Sequence, residues 1–238
     1  MSFYRDYRPS RFQDIIGRGM AIESIKRQIA AGHNHHAYLL HGASGTGKTS
    51  TARVIAMALN CENKTFDGEP CGKCANCVAI KKGGHFDVIE VDVSKARGID
   101  DVKSLCANAA YAPMWGGKFK VYILDEAHLY NVPAYSAMLK LLEEPPPYLV
   151  VILTTTDFKA IPETVMSRCQ CVEYKKVEPQ NIAFKLGKIC ADLCLAIDKA
   201  QLQFIAESCN GNVRAAENLL EQRCWLEPPI TSMALALV

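Results

Sequence analysis

The chain has 238 residues, of which 49% are hydrophobic, and it can form the core of one large domain or of two modest ones. Its formal net charge of +2 is too small to indicate a polyanion partner by itself. No apolar run approaches the roughly 20 residues that cross a bilayer, and the amino terminus lacks a signal-peptide core, so we expect a cytoplasmic protein with no membrane partner. Its 11 cysteines then favour thiol or metal chemistry over a disulfide framework.

The first 17 residues are rich in aromatic and basic side chains and contain proline, without a period of 3.6 or 2. We therefore expect an extended arm on the protein surface. The following segment, residues 20–31, has isoleucines at helical spacing and ends at Gly32, which predicts a helix.

A glycine-rich turn lies between an apolar run at 37–40 and a helix-like segment at 50–59. In this context the string G-x-x-x-x-G-K-T indicates a phosphate-binding P-loop, because glycines let successive N–H groups point at one anion at the start of a helix. We expect Lys48 to reach the β- and γ-phosphates of ATP and the Thr49 hydroxyl to ligate Mg²⁺. The alternative is a glycine-rich turn that binds nothing. The predicted phosphate-binding residues are Gly42, Ala43, Ser44, Gly45, Thr46, Gly47, Lys48, Thr49 and Ser50.

Four cysteines follow the P-loop helix, at Cys61, Cys71, Cys74 and Cys77. Two overlapping C-x-x-C steps place three thiolates in one tight turn, and the first cysteine can complete a four-sulfur tetrahedron. The polar segment 63–70 is too short for a core of its own, so a metal ion would stabilise it where packing cannot. We predict structural Zn²⁺ in an insertion at 61–77, with a redox C-x-x-C pair as the alternative.

A second predicted strand at 85–92 and a helix at 98–111 precede an apolar strand that ends in Asp125 and Glu126. The carboxyl ends of parallel strands are where open α/β folds bind ligands. Asp125 is therefore predicted to hold the Mg²⁺ shell, and Glu126 to orient and polarise the attacking water. A strand ending in two carboxylates is weak evidence alone, but its combination with the P-loop strongly indicates an ATP site.

A helix over 131–142 is predicted to end at a proline run, and the next strand, 149–153, is continuously apolar, as in a strand buried on both faces. Its tip, residues 154–156, carries three threonines. Their hydroxyls could contact the γ-phosphate or the attacking water, or they could reflect only β-propensity and a helix cap.

After a last predicted strand at 171–174, the pattern changes to helices alone from residue 178. Arg214 lies at the start of the last helix, where the macrodipole disfavours a positive charge, so it is a candidate phosphate ligand, with simple surface exposure as the alternative. We expect an α/β domain with a parallel sheet in residues 1–177, a helical domain in 178–224 and a short tail in 225–238. The three predicted helices of the second domain are 181–194, 199–208 and 213–224.

These motifs together resemble the ATPase part of bacterial DNA polymerase III gamma/tau subunits, the clamp-loader AAA+ ATPases. The cysteine insertion after the P-loop helix and the string at 167–169 are much narrower signals than the P-loop itself. The strings that carry the resemblance are Tyr7-Arg8-Pro9, His36-Ala37-Tyr38-Leu39-Leu40, Cys61 with Cys71, Cys74 and Cys77, Asp125-Glu126-Ala127-His128, Leu139-Lys140-Leu141-Leu142-Glu143-Glu144-Pro145-Pro146 and Ser167-Arg168-Cys169.

The resemblance implies a P-loop AAA+ fold with a parallel five-stranded sheet, a zinc-knuckle insertion and a small three-helix lid domain. It implies an ATPase that uses ATP, Mg²⁺ and structural Zn²⁺ in a hetero-oligomeric ring of clamp-loader subunits, which loads a sliding clamp on primer-template DNA. Three other interpretations stay open. The first is a delta-prime-like clamp-loader subunit, against which Lys48 and Thr49 argue, and the second is a non-catalytic ATP-binding interaction module, against which Glu126 argues. The third is an AAA+ helicase-loading or branch-migration motor, which the cysteine insertion disfavours.

The resemblance also implies roles for individual residues. Arg168 matches an arginine finger that acts in the ATP site of the neighbouring subunit. Thr156 matches the sensor at the tip of the fourth strand, with Thr155 as the second choice, and Arg214 matches the lid arginine that senses ATP. Further matches are Arg8, Pro9 and Ile16, which would pack on the adenine, and Arg97 and Lys140, which would follow a DNA backbone.

Overall fold

The computed structural model describes residues 2–17, 19–95 and 98–226, and the chain divides into two compact units. The sheet unit comprises residues 9–42 and 48–174. Of the described residues, the helical unit comprises 2–8, 43–47 and 175–226. Within the described ranges, no helix combines the length and the apolar character that crossing a bilayer requires.

Five parallel strands form the centre of the sheet unit, in the order β2-β3-β4-β1-β5. Because all five point the same way, their carboxyl ends share one edge of the sheet. This confirms the parallel five-stranded sheet that we expected. The strands are β1 (Ala37–Gly42), β2 (Val88–Asp92), β3 (Lys120–Asp125), β4 (Leu149–Thr155) and β5 (Gln170–Tyr174).

Ten α-helices are described, six of them in the sheet unit and four in the helical unit. Those of the sheet unit are α2 (Met20–Ala30), α3 (Lys48–Asn60), α4 (Ala75–Lys82), α5 (Ile99–Ala109), α6 (Val132–Glu143) and α7 (Glu163–Met166). Those of the helical unit are α1 (Phe3–Asp6), α8 (Pro179–Asp192), α9 (Lys199–Ser208) and α10 (Val213–Leu226).

Alternate side chains of the central strands enter two separate apolar layers. In β1, Tyr38 and Leu40 join the layer that includes Ile55 of α3, whereas Leu39 joins the layer that includes Met138 of α6. Period-two alternation in a strand that is buried on both faces produces this division. The sheet is therefore covered by helices on both sides.

The expected extended arm at the amino terminus is wrong in two respects. Residues 3–6 form the short helix α1, and Phe12–Asp14 form a 3₁₀ turn from which Phe12 is completely buried. Phe12 and Ile15 belong to the same apolar layer as Leu40 of β1. Elements of three or four residues are too short to show a period, so the sequence pattern could not reveal them.

Helix α4 was not expected from the sequence, because the cysteine spacing dominates the pattern there. It begins after Cys74 and ends at Gly83, whose φ of 73° is the left-handed conformation of a glycine that terminates a helix. The second strand also begins at Val88 rather than at His85, because residues 85–88 form a turn in which the Val88 N–H donates to the His85 carbonyl oxygen at 3.1 Å.

Candidate nucleotide site and metal centre

The glycine-rich turn begins at the carboxyl end of β1 and leads into the first residue of α3. Gly42 has a φ of 143°, and a Cβ there would lie 2.2 Å from the carbonyl oxygen of Tyr174 on β5, so only glycine fits. Lys48 is only 5% exposed, and its Nζ donates a hydrogen bond to the Gly42 carbonyl oxygen at 2.9 Å. The ammonium group therefore reaches back across the turn from which the predicted phosphate ligands come.

The middle of the turn, residues 43–47, lies in the helical unit beside the start of α10. The Val213 N–H donates to the Gly45 carbonyl oxygen at 2.9 Å, and a Cβ on Gly45 would lie 1.8 Å from Oδ1 of Asn212. Thr46 closes the turn by donating from Oγ1 to the Ala43 carbonyl oxygen at 2.8 Å. Asn212 was not among the predicted site residues, although its N-cap position could have been recognised from the sequence.

Hydroxyl and carboxylate groups meet at the carboxyl end of β3. Thr49 donates from Oγ1 to Oδ1 of Asp125 at 2.9 Å, and the Thr154 hydroxyl donates to the same carboxylate oxygen. Thr49 and Asp125 are the two residues that we predicted to ligate Mg²⁺, and both offer oxygen ligands of the type that the ion prefers. Thr154 is one of the three threonines predicted at the strand tip, and its contact with Asp125 follows from the parallel register, in which Leu124 lies opposite Leu153.

Glu126 has a φ of 55° and a ψ of 48°, a left-handed conformation that is uncommon for a residue with a side chain. Its Oε2 accepts a hydrogen bond from Thr156 Oγ1 at 3.0 Å and lies 3.4 Å from Nδ1 of His128. Strained backbone of this kind clusters at functional sites, where the surrounding structure maintains it. The half-buried carboxylate is thus oriented by the Thr156 hydroxyl.

Arg168 is held by partners within its own chain. Its Nη2 donates to Oε1 of Glu143 at 2.5 Å, and its Nη1 donates to the carbonyl oxygen of Thr164 at 2.6 Å. The side chain is 32% exposed and lies after α7. Glu143 was not a predicted site residue, since no local pattern pairs two residues that are 25 positions apart.

Arg214 is exposed in the first turn of α10, and its guanidinium carbon lies 5.6 Å from the ring centroid of Tyr4, a cation–π contact. Glu217 is buried one turn further along α10, at 2.5 Å from Nζ of Lys185. Burial raises the pKa of Glu217, while the charges of Lys185 and Arg214 act in the opposite direction. Within its own unit, Arg214 therefore lies over the Tyr4 ring and interacts electrostatically with Glu217.

The remaining predicted site residues have fewer described contacts. Arg8, Pro9 and Ile16 are half-buried near the amino terminus, and Ser50 is half-buried in the first turn of α3. Lys140 is exposed on α6 and lines a pocket of about 400 Å³ between α5 and α6. Arg97 lies outside the described residues, as does most of the predicted tail.

The four predicted cysteine ligands form one cluster, with all sulfur atoms within 4.8 Å of one another. A tetrahedral zinc ion with sulfurs at about 2.3 Å would place them roughly 3.8 Å apart, so the cluster fits this group. Each cysteine has a free thiol, and Cys71 Sγ accepts hydrogen bonds from the N–H groups of Lys73 and Cys74 at 3.4 and 3.2 Å.

The pKa values of three thiols in the cluster are shifted, and not all in the same direction. Burial opposes ionisation of Cys71, but the two backbone donors prevail and lower the pKa of its thiol to about 7. Burial raises the pKa values of Cys61 and Cys77. Backbone N–H donors favour the thiolate form of a cysteine, which is the form that binds Zn²⁺, so the donor set suits this ion.

The architecture is that of AAA+ ATPases. The Thermotoga maritima RuvB Holliday junction branch migration motor matches it with a TM-score of 0.68, at 15% sequence identity, over 94% of this chain and 68% of that chain. The chain belongs to the DNA polymerase III, delta subunit family, whose model matches residues 17–178.

The chain is also similar in sequence to longer proteins. The DNA polymerase III subunit tau of Bacillus subtilis (strain 168) is 38% identical over 93% of this chain, which corresponds to 39% of the relative. Protein STICHEL-like 1 of Arabidopsis thaliana is 36% identical over 97% of this chain, which corresponds to 21% of that relative. The chain thus spans well under half the length of these two relatives.

Proposed function

We propose that this chain is an ATP-hydrolysing motor subunit of a clamp loader, which uses ATP to load a sliding clamp on primer-template DNA during replication. The observation that carries the proposal is the 2.9 Å hydrogen bond from Thr49 to Asp125. It joins the P-loop hydroxyl to the strand-end carboxylate at one place, as two ligands of a single Mg²⁺ ion require.

The proposed chemistry consists mainly of positioning and electrostatic stabilisation. Lys48 would exchange its bond to the Gly42 carbonyl for oxygens of the β- and γ-phosphates. Mg²⁺, held through Thr49 and Asp125, would supply neutralising charge. Glu126 would orient the attacking water and accept its proton, with Thr156 fixing the carboxylate by the 3.0 Å hydrogen bond.

Arg168 would act on the ATP of a neighbouring subunit. To do so, its guanidinium must leave Glu143, with which it forms a partly exposed ion pair. Such pairs contribute at most about 1 kcal/mol, so the charged phosphates of a neighbour can compete with it. Arg214 would contact the phosphates of its own chain from the start of α10, and Arg8, Pro9 and Ile16 would contact the adenine.

The relatives support the choice of partners, since one of them is named as a subunit of DNA polymerase III. We propose that the chain assembles with other clamp-loader subunits in a ring, in which each ATP site is completed by the next chain. Lys140 is a candidate contact to the DNA backbone, because it is an exposed cation on α6.

The test is ATP turnover by the chain assembled with its partner subunits, clamp and primer-template DNA. Lys48→Ala should abolish turnover, and Arg168→Ala should lower it by about 10³ or more in the assembly only. Glu143→Gln breaks the same ion pair but keeps the guanidinium, so this control should retain turnover. The proposal fails if the wild-type assembly never exceeds the Lys48→Ala background.

A second candidate is a ring subunit that does not hydrolyse ATP, which the delta-subunit description of the matching family favours. The complete set of Lys48, Thr49, Asp125 and Glu126 argues for the motor. The same assay separates the two, because a non-hydrolysing subunit would leave turnover unchanged when its own Lys48 is replaced.

A further inference from the structure

The loop at 62–70 lies between the predicted ligands Cys61 and Cys71, and it binds residues 12 and 13 through the buried carboxylate of Glu69. Glu69 is 7% exposed, and its Oε2 accepts a hydrogen bond from the Phe12 N–H at 2.8 Å. Its Oε1 accepts a second bond from the Gln13 N–H at 3.2 Å and lies 3.0 Å from Nζ of Lys26 on α2. A buried carboxylate is costly unless it is paired, and these three donors satisfy it.

The loop itself is shaped to present this carboxylate. The Thr65 hydroxyl accepts a hydrogen bond from the Glu69 N–H at 3.0 Å, and the Thr65 N–H donates to the Glu69 carbonyl oxygen at 3.0 Å. Gly68 has a φ of 90°, and a Cβ there would lie 2.6 Å from the Lys26 carbonyl oxygen. The turn is therefore pressed against α2, and Asp67 adds a second carboxylate at 2.6 Å from the Lys26 ammonium.

The segment that Glu69 holds is packed against the strand and helix of the P-loop. Phe12 and Ile15 lie in one apolar layer with Leu40 of β1 and Ile55 of α3. Arg11 adds a contact by donating from Nη2 to the Cys71 carbonyl oxygen at 3.4 Å. Residues 9–16 thus contact two parts of the chain. Their apolar side chains pack against β1 and α3, and their polar groups bind the segment between Cys61 and Cys71.

We infer that Glu69 is a positioning residue for nucleotide-base binding, which fastens residues 9–16 in the conformation that contacts the adenine. This inference rests on the proposed function, in which Pro9 and Ile16 contact the base. It gives the cysteine centre a role beyond local stability, because Cys61 and Cys71 fix the two ends of the loop that carries Glu69. Glu69 would act without touching the nucleotide.

The test compares the binding of ATP with that of inorganic tripolyphosphate, which lacks the base, in the purified full chain. Glu69→Gln should raise the Kd for ATP about tenfold, the worth of one charge-assisted hydrogen bond, and leave the Kd for tripolyphosphate unchanged. Glu62→Gln changes an exposed carboxylate of the same loop and should alter neither Kd.

Amide exchange measured by mass spectrometry adds an independent readout, because Glu69→Gln should accelerate exchange in a peptide covering residues 9–17. Glu69→Asp keeps the charge but has a shorter side chain, which moves the carboxylate oxygens away from the N–H groups of Phe12 and Gln13. It therefore gives the same test if the amide variant does not fold. Equal weakening of both ligands, or unchanged ATP affinity, would overturn the inference. A wild-type chain that binds neither ligand would instead overturn the proposed function.

Discussion

Glu126 is the side chain whose replacement should separate ATP binding from ATP hydrolysis. Its carboxylate accepts a hydrogen bond from Thr156, and its backbone is held in the left-handed conformation at the end of β3. An amide keeps the size of the side chain and its capacity to accept that bond, but it is a poor base.

We therefore expect Glu126→Gln to lower turnover in the assembled complex by about 10² to 10⁴ while leaving ATP affinity unchanged. Steady-state turnover and equilibrium binding of ATP measure the two quantities. Glu144→Gln, which alters an exposed carboxylate, serves as the control. A parallel loss of binding and turnover would remove Glu126 from its proposed role as base.

The residue types of the candidate site could be predicted from the motif, whereas their partners could not. Asp125 and Lys48 follow from the strings in which they occur. The contacts of Thr154 with Asp125 and of Glu143 with Arg168 depend on strand register and on the packing of α6 beside α7. Such contacts join residues far apart in sequence, so no single-sequence periodicity contains them.

The insertion between α3 and β2 is the element that a metal ion bound to the four cysteines would stabilise. The polar loop and α4 bury few apolar side chains, so a metal ion would replace packing as the source of their stability. The four cysteines were predictable from their spacing. Helix α4 was not, because the motif that marks the ligands obscures its hydrophobic period.

Cys74→Ser should lower the zinc content of the purified chain from one per chain to well below one. The reason is that a hydroxyl is a much weaker zinc ligand than a thiolate. Atomic absorption on the purified chain measures the change, and Cys171→Ser, which alters an exposed thiol outside the cluster, should keep the full content. Full zinc content in the Cys74 variant would remove this residue from the ligand set.

A buried polar network links α4 to the segment that precedes β2. His85 Nε2 lies 3.2 Å from Oδ1 of Asn76, and Nδ1 accepts a hydrogen bond from the Asp87 N–H at 3.1 Å. Both contacts are satisfied by a neutral ring that carries its proton on Nε2. Burial lowers the pKa of His85, and the charge of Asp87 only partly opposes it.

The sign of the resulting pH dependence follows from that shift. On acidification, His85 of the unfolded chain takes up a proton near pH 6.5, at about its ordinary pKa, whereas His85 of the folded chain does so only at a lower pH. The contribution of His85 to the free energy of unfolding is therefore fully present above about pH 6.5 and is lost as pH falls through the folded pKa. The Tm of the zinc-loaded chain should therefore drop on acidification, and His85→Gln should reduce the slope. His33→Gln, an exposed histidine, should not. Equal slopes in all three would contradict this account.

At the scale of the whole molecule, the sheet unit and the helical unit are each formed by residues from separate stretches of the chain. Residues 43–47 and helix α1 belong with the helical unit, where the Phe3 N–H donates to Oε2 of Glu221 at 3.1 Å. The alternation of strands and helices predicted the sheet, and the change to helices alone predicted a second part. A contact between residues 218 positions apart could not be predicted in that way.

The central claim, that the turn at 42–49 is a nucleotide site, is tested most directly by equilibrium ATP binding to the purified chain in the presence of Mg²⁺. We expect saturable binding of one ATP per chain, weakened at least about tenfold in Lys48→Ala, because a buried ammonium group then no longer meets the phosphates. Lys199→Ala, an exposed lysine on α9, should bind as the wild type does. Equal ATP affinity in the wild type and in Lys48→Ala would contradict the account.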